Sequence, residues 1–272
     1  MYTSNPAAYE DLVIDQIQII EPDDLRYIPY NPKSTHCRVF TVWPSPTSRY
    51  MYENRIVSRL IFELLWDRLL QYRISDMRYL YYEFRASATM AASAVWIFEH
   101  RIHQLLRSQA TIRLVPIIRH KPGPNDYIYK GYQWENPIDL WLPGSAERPL
   151  VEGGRFRRNR YCRLDSPGAN SFLLVYPPDG SPPILLIFVV TCSTEIHYVS
   201  EDILRKIDSC SLPPDVRRYY VVVTPKGARP KIKFPEAYSG KKGSTRQSDK
   251  GLRVFNYPVG DNVLFPDLDD VY

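Results

Sequence analysis

Residues 170–191 read NSFLLVYPPDGSPPILLIFVVT. Two runs of Leu, Ile, Val and Phe flank a PPDGSPP segment, so the stretch predicts a hairpin of two strands joined by a Pro/Asp/Gly turn. Both runs are continuously apolar rather than alternating, as expected of strands buried on both faces of a sheet. Small polar residues, Asn170 and Thr191, stand where the first strand starts and where the second ends.

Beyond the hairpin, residues 198–210 (YVSEDILRKIDSC) predict a helix with Ser200 as N-cap and Glu201 and Asp202 in the first turn, where acids favour the helix dipole. LPPDV ends that helix, YYVVVT (219–224) reads as a buried strand, and GLRVFNY (251–257) as a weaker one. Upstream, residues 119–168 are rich in Gly, Pro and Trp and read as irregular, whereas TIRLVPII (111–118) reads as a strand. ASAVWIFEHRIHQLLR (92–107) predicts a helix whose apolar face is Val95, Phe98, Ile102, Leu105 and Leu106, with Glu99 at its flank. RIVSRLIFELLWDRLLQYR (55–73) predicts another amphipathic helix, its stripe running through Ile56, Leu60, Glu63, Leu64 and Leu70, and a short link joins the two. Residues 1–50 read as an irregular arm. The order helix, strand, strand, strand, helix, strand predicts an α/β fold with a mixed sheet flanked by helices.

Composition narrows the function classes. The chain has 272 residues and is 44% hydrophobic, enough for a real core, yet its apolar runs fall far short of a bilayer span and its N-terminus lacks the pattern of a signal peptide. An intracellular protein with no membrane partner is expected. Cys37, Cys162, Cys192 and Cys210 are widely separated and lack metal-ligand spacing, which predicts reduced, buried thiols. The net charge is only +5, but it is unevenly spread. Arg155, Arg157, Arg158, Arg160 and Arg163 crowd one segment without an acid, and nine cations between Lys226 and Arg253, among them Lys241, Lys242 and Arg246, face only Glu236 and Asp249. Tyr and Phe interleave both segments, a mixture suited to phosphate contact and base stacking, so DNA or RNA is the expected partner. No GxxxxGK[ST], GxSxG or HExxH occurs; SGKKGST (239–245) has phosphate-loop letters at the wrong spacing.

Three blocks in this order, WIFEHRIHQLL, then NSFLLVYPPDGSPPILLIFVVT, then ILRKIDSCSLPPDVRRYYVVVTPKG, resemble the αβββαβ core of the PD-(D/E)XK, or restriction-endonuclease-like, fold. In wording they are similar to the nuclease-like domain of fungal Crinkler and RHS-type proteins. The resemblance covers residues 86–257 and implies a nuclease-like domain at 86–260, preceded by an arm and helix at 1–85 and followed by an acidic tail at 261–272. Some members of that family carry an NTPase module ahead of the domain; the resemblance implies that here it is absent or reduced to the helix at 55–73.

The resemblance also implies a site for Mg²⁺, whose preference for carboxylate oxygens suits phosphodiester hydrolysis. Its helix acid matches Glu99, the acid opening the second strand falls on Asn170, the acid or amide of the third strand on Val189, and the Lys or Thr two residues on is Thr191. Asn170 offers a carbonyl oxygen without charge, and Val189 offers no ligand. A degenerate nuclease-like domain without a metal cofactor, still binding nucleic acid, is therefore expected, with a nuclear location implied by the resemblance and the basic loops. One alternative is an active Mg²⁺-dependent nuclease whose ligands have migrated to Asp165 or Glu195. Another is an effector-like domain that binds a protein partner the sequence does not identify. For Glu99 the structural alternative is an ion pair with Arg101, His103 or a strand residue.

Overall fold

The computed structural model describes residues 40–44, 52–56, 58–70, 73–87, 90–117, 126–128, 137–145, 147–149, 158–166, 169–192, 196–235 and 252–266. The chain divides into two compact units, residues 1–100 with 262–272, and residues 101–261.

The first unit opens with an antiparallel pair, β1 (Phe40–Pro44) and β2 (Tyr52–Ile56). Three helices follow: α1 (Arg59–Leu69), α2 (Ile74–Ala86) and α3 (Ala91–Arg107), the last contributing its residues up to His100. Ile56, expected on the first helix, closes β2 instead, and the helix buries Ile61, Phe62, Leu65, Trp66 and Leu69 while Leu70 is exposed. The segment read as a short link contains α2, which buries Met77, Leu80, Tyr81 and Phe84 at helical spacing. Aromatic contacts dominate the core: Phe62 lies 5.3 Å from Trp96, and Tyr81 lies 5.5 Å from Phe265 (ring centroids). Phe265, which the sequence assigns to the acidic tail, follows a helical turn at Asp261–Leu264 and is fully buried.

The second unit is built on an eight-stranded mixed sheet. Its strands are β3 (Gln109–Pro116), β5 (Ile138–Pro143), β6 (Glu147–Pro149), β7 (Tyr161–Ser166), β8 (Ala169–Val175), β9 (Ile184–Val190), β11 (Arg217–Pro225) and β13 (Leu252–Val259), in the order β5-β3-β13-β11-β9-β8-β7-β6. The hairpin forms as the sequence predicts. β8 and β9 pair antiparallel with Leu173 opposite Leu186, and both are buried almost throughout. At its turn the Asp179 carboxylate accepts from the Ser181 amide (2.9 Å) and hydroxyl (2.8 Å), and Gly180 takes a left-handed φ of +76°. These bonds hold the Asp179 carboxyl below its usual range.

Strand order carries the main departure from the sequence reading. TIRLVPII does form a strand, but β3 pairs antiparallel with β5 and β13, not with the hairpin. The neighbour of β8 is β7, from the segment read as irregular. YCRLDS is short and mixes Arg and Asp with apolar residues, so its period of two is hard to distinguish from loop composition. β7, β8 and β9 form an antiparallel meander, after which α4 (Glu201–Ser209) returns the chain to β11, parallel to β9, and β13 adds parallel to β11. Ser200 stands at the N-cap, but its hydroxyl makes no capping bond; Glu201 and Asp202 occupy the first turn as expected.

Two faces result. Leu185, Ile187, Val189, Tyr220 and Val222 pack with Ile203, Leu204 and Ile207 of α4 in one apolar cluster. On the opposite face, the imidazole of His103 in the second unit's part of α3 hydrogen-bonds the Tyr161 hydroxyl, and both residues are buried. A small second sheet, β10 (Ile196–Tyr198), β12 (Lys231–Lys233) and β4 (Asp126–Ile128), contributes Ile232 to the α4-side cluster.

Candidate functional site

The parallel strands β9, β11 and β13 end together, and antiparallel β8 begins at that same end, which is where an open α/β sheet commonly holds its ligands. Register fixes which side chains meet there. Ser171 pairs with Phe188, so Asn170 and Val189 are the next pair in register and share one face of the sheet. Val189 pairs with Val222, and Val222 with Asn256. The row Asn170, Val189, Val222, Asn256 therefore crosses four strands, and Thr191 and Thr224 lie two residues further along the same face. The sequence reading placed Asn170, Val189 and Thr191 together, and the hairpin does bring them together. It missed Thr224 and Asn256, which are completely buried and joined by a 3.1 Å hydrogen bond between the Thr224 hydroxyl and the Asn256 side-chain oxygen.

The chemistry of this row differs from that of a metal centre. Asn170 Oδ1 accepts a 2.7 Å hydrogen bond from the Val190 amide, so its carbonyl oxygen extends the β8–β9 ladder. Val189 is only 2% exposed and belongs to the apolar cluster under α4. The Thr191 amide donates to the Val223 carbonyl at 3.0 Å, which continues the β9–β11 pairing by one residue. A hard divalent cation needs several anionic or carbonyl oxygens converging on one point. At Asn170 and Val189 one oxygen is committed to a backbone amide and the other side chain is hydrocarbon, so these residues do not fit Mg²⁺. Among the described residues no group of three His, Cys, Asp or Glu side chains is arranged to hold a metal.

Glu99 belongs to the first unit and is 6% exposed. Its carboxylate accepts from Arg59 Nη2 at 3.1 Å, and Arg59 Nε reaches Glu63 at 3.2 Å. Burial opposes charging of the guanidinium, but Glu99 and Glu63 more than offset it and raise the Arg59 pKa. Arg101 donates to Gln104 at 2.7 Å, and His103 bonds Tyr161. Arg59 lies 40 residues from Glu99 in sequence, beyond the reach of helix spacing arguments. Of the two migrated-ligand candidates, Asp165 lies in β7 beside a register shift but its side chain is outside the described residues, as is all of Glu195.

Arg155, Arg157, Lys241, Lys242 and Arg246 lie outside the described residues. Exposed Arg158 stacks over the Tyr176 ring at 5.1 Å, near the turn end of the hairpin, while Arg163 opposes Ser171 at the other end of β7. Arg160 is half-buried between them, and with burial it bears on Cys162: burial pushes the Cys162 thiol up and Arg160 pulls it down by less. Lys226, two residues past Thr224, and Arg229 are exposed just beyond the end of β11, where the polar row lies. Their amides are partly tied down, Lys226 donating to the Val259 carbonyl at 2.8 Å.

No family model matches this chain, and neither a curated protein nor a solved structure matches it. No described helix is long and apolar enough to cross a membrane.

Proposed function

We propose that this chain carries a catalytically degenerate PD-(D/E)XK-like domain of Crinkler or RHS type that binds nucleic acid without cleaving it. One observation carries the reading: the two positions where the resemblance asks for metal ligands are neighbours in register at the strand ends, yet one is tied into the ladder and the other sealed in the core. The sequence of elements supports it further, because α3 precedes the β7–β8–β9 meander, which is followed by α4 and the parallel strand β11. Lys226, Arg229, Lys231 and Arg253 are exposed and supply cations for phosphate contact.

The test pairs cleavage with binding. Plasmid and single-stranded DNA and RNA are incubated with the full chain in Mg²⁺ or Mn²⁺, and binding is followed by fluorescence anisotropy across a salt series. The expected result is binding whose logarithm falls linearly with log salt, and no metal-dependent cleavage. Cleavage that disappears in Glu99→Ala would overturn the degenerate reading; absence of binding at low salt would overturn the nucleic-acid reading.

A further inference from the structure

The small sheet turns one face into the apolar cluster and the other to solvent. His197 and Ile232 point inward: His197 lies 3.2 Å from the Tyr220 hydroxyl, and Ile232 is 1% exposed. Alternation then sends Ile196, Tyr198, Lys231 and Lys233 outward, and register places Ile196 beside Lys231 and Tyr198 beside Lys233. Tyr198 is 65% exposed and Ile196 46%, unusual for an aromatic and a β-branched residue side by side, and Lys231 is exposed as well. β10 and β12 are the first strands formed by the segments leaving the ends of β9 and β11. Thus the chain projects an aromatic and cationic ribbon from the same strand ends that carry the polar row.

We propose that this ribbon face is a platform for unpaired nucleic acid, with Tyr198 stacking on a base and Lys231, aided by Lys233, contacting the phosphates. This rests on the nucleic-acid reading given above and narrows it to single strands. The argument is geometric and electrostatic. A tyrosine ring standing clear of a sheet can stack on a base only if that base is not covered by its own neighbours, and stacking tolerates any base. Residues two apart on a strand are about 6.7 Å apart, the interval of two stacked nucleotides along one strand. The lysines sit on the strand beside the ring, so one strand of nucleic acid can meet ring and cations together. A duplex would present phosphates to the lysines but no ring face to Tyr198.

Anisotropy of a labelled 12-nucleotide oligothymidine and of a matched duplex, titrated with the full chain and its variants, tests this. Tyr198→Ala should weaken oligothymidine binding about 5- to 140-fold and change duplex binding by less, while Tyr198→Phe, which keeps the ring, should stay within about twofold of wild type. Lys231→Gln should lower the magnitude of the log–log salt slope by about 0.7. Both positions are on the exposed face, so a thermal melt unchanged from wild type accompanies the expected result. If wild type binds both probes and Tyr198→Ala and Lys231→Gln leave affinity and slope untouched, the ribbon is not the platform although the domain still binds nucleic acid. If wild type binds neither probe, both readings fall, and β10, an edge strand, would instead suit a protein partner.

Discussion

A carboxylate placed at Val189 tests the chemistry of the site most directly. Val189 is 2% exposed among Leu185, Ile187, Val222 and the α4 residues Ile203, Leu204 and Ile207. In Val189→Glu the lost burial of the valine costs about 1.5–3 kcal/mol. The new carboxyl then has to stay neutral in the fold. An unfolded glutamate titrates at about 4.3 and a fully buried one at about 8–9. At pH 7 the unfolded state is ionised and the folded state is not, which adds about 2.7 units, or about 3.7 kcal/mol. For an acid whose folded pKa is raised, the penalty is absent below the unfolded pKa and grows as pH rises towards the folded one. Between about pH 4.3 and pH 8 stability should therefore fall by about 1.4 kcal/mol per pH unit. Urea unfolding of Val189→Glu and Val189→Gln at pH 5, 6 and 7 reads this out, since the glutamine variant suffers the packing loss without the pH slope. A slope equal to that of Val189→Gln would show that position 189 reaches solvent, and the argument from burial would fail. The same variant combined with Asn170→Asp carries a second reading. If the two carboxylates now face each other as the register requires, millimolar Mg²⁺ should raise the midpoint of the double variant but not that of wild type. No shift would refute convergence at this pair.

Three further outcomes follow from named contacts. Asn170→Asp keeps an acceptor for the Val190 amide and should change stability by under about 1 kcal/mol, whereas Asn170→Leu removes it and should cost about 1–3 kcal/mol in urea unfolding. Arg59 is 40% exposed in its side chain, so its pair with Glu99 is partly screened; a double-mutant cycle of Arg59→Met and Glu99→Gln should give a coupling of about 1 kcal/mol, and a value near zero would mean that the pair does not stabilise the fold. Burial pushes Tyr257 up to about 12, so its ionisation at 295 nm should lag the exposed tyrosines. Because the folded pKa is the higher one, its contribution to stability is complete below about pH 10 and is lost between about pH 10 and 12. Tyr257→Phe should lessen that alkaline loss, though not abolish it, since burial raises Tyr220 well above its usual value too.

The hairpin was legible because its signal is local: two unbroken apolar runs, a Pro/Asp/Gly turn, and a period of two that fixes which residues share a face. The helix at 201–209 was legible for the same reason, since Ser200, Glu201 and Asp202 mark its start and the prolines at 213 and 214 its end. α2 was not. RYLYYEF is dense in aromatics, which favour strands as intrinsic formers, and only burial of Met77, Leu80, Tyr81 and Phe84 against the rest of the unit makes it a helix. β7 escaped because a six-residue strand carrying Arg163 and Asp165 differs little from a loop until β8 supplies its partner.

The same division between local and distant signals runs through the site. Asn170, Val189 and Thr191 could be placed together from sequence because one tight turn sets their register, and no other strand had to be known. Thr224 and Asn256 could not, because a parallel pairing of strands is set by helices and loops between them and leaves no mark in the residues themselves. Their hydrogen bond fills the position beyond Val222 with a polar pair, while the Asn256 side-chain nitrogen and the Ser171 hydroxyl remain buried without a described partner. A buried amide that satisfies only one of its atoms is costly, typically about 1–3 kcal/mol, and an apolar pair would cost less. Polar residues held at strand ends against that cost, next to an apolar residue where the resemblance expects a ligand, are what the degenerate reading proposed above would leave behind. On that argument Asn256→Leu should stabilise the fold or leave it unchanged. A loss above about 2 kcal/mol in urea unfolding would instead mean that the Thr224–Asn256 pair is part of what holds β11 to β13.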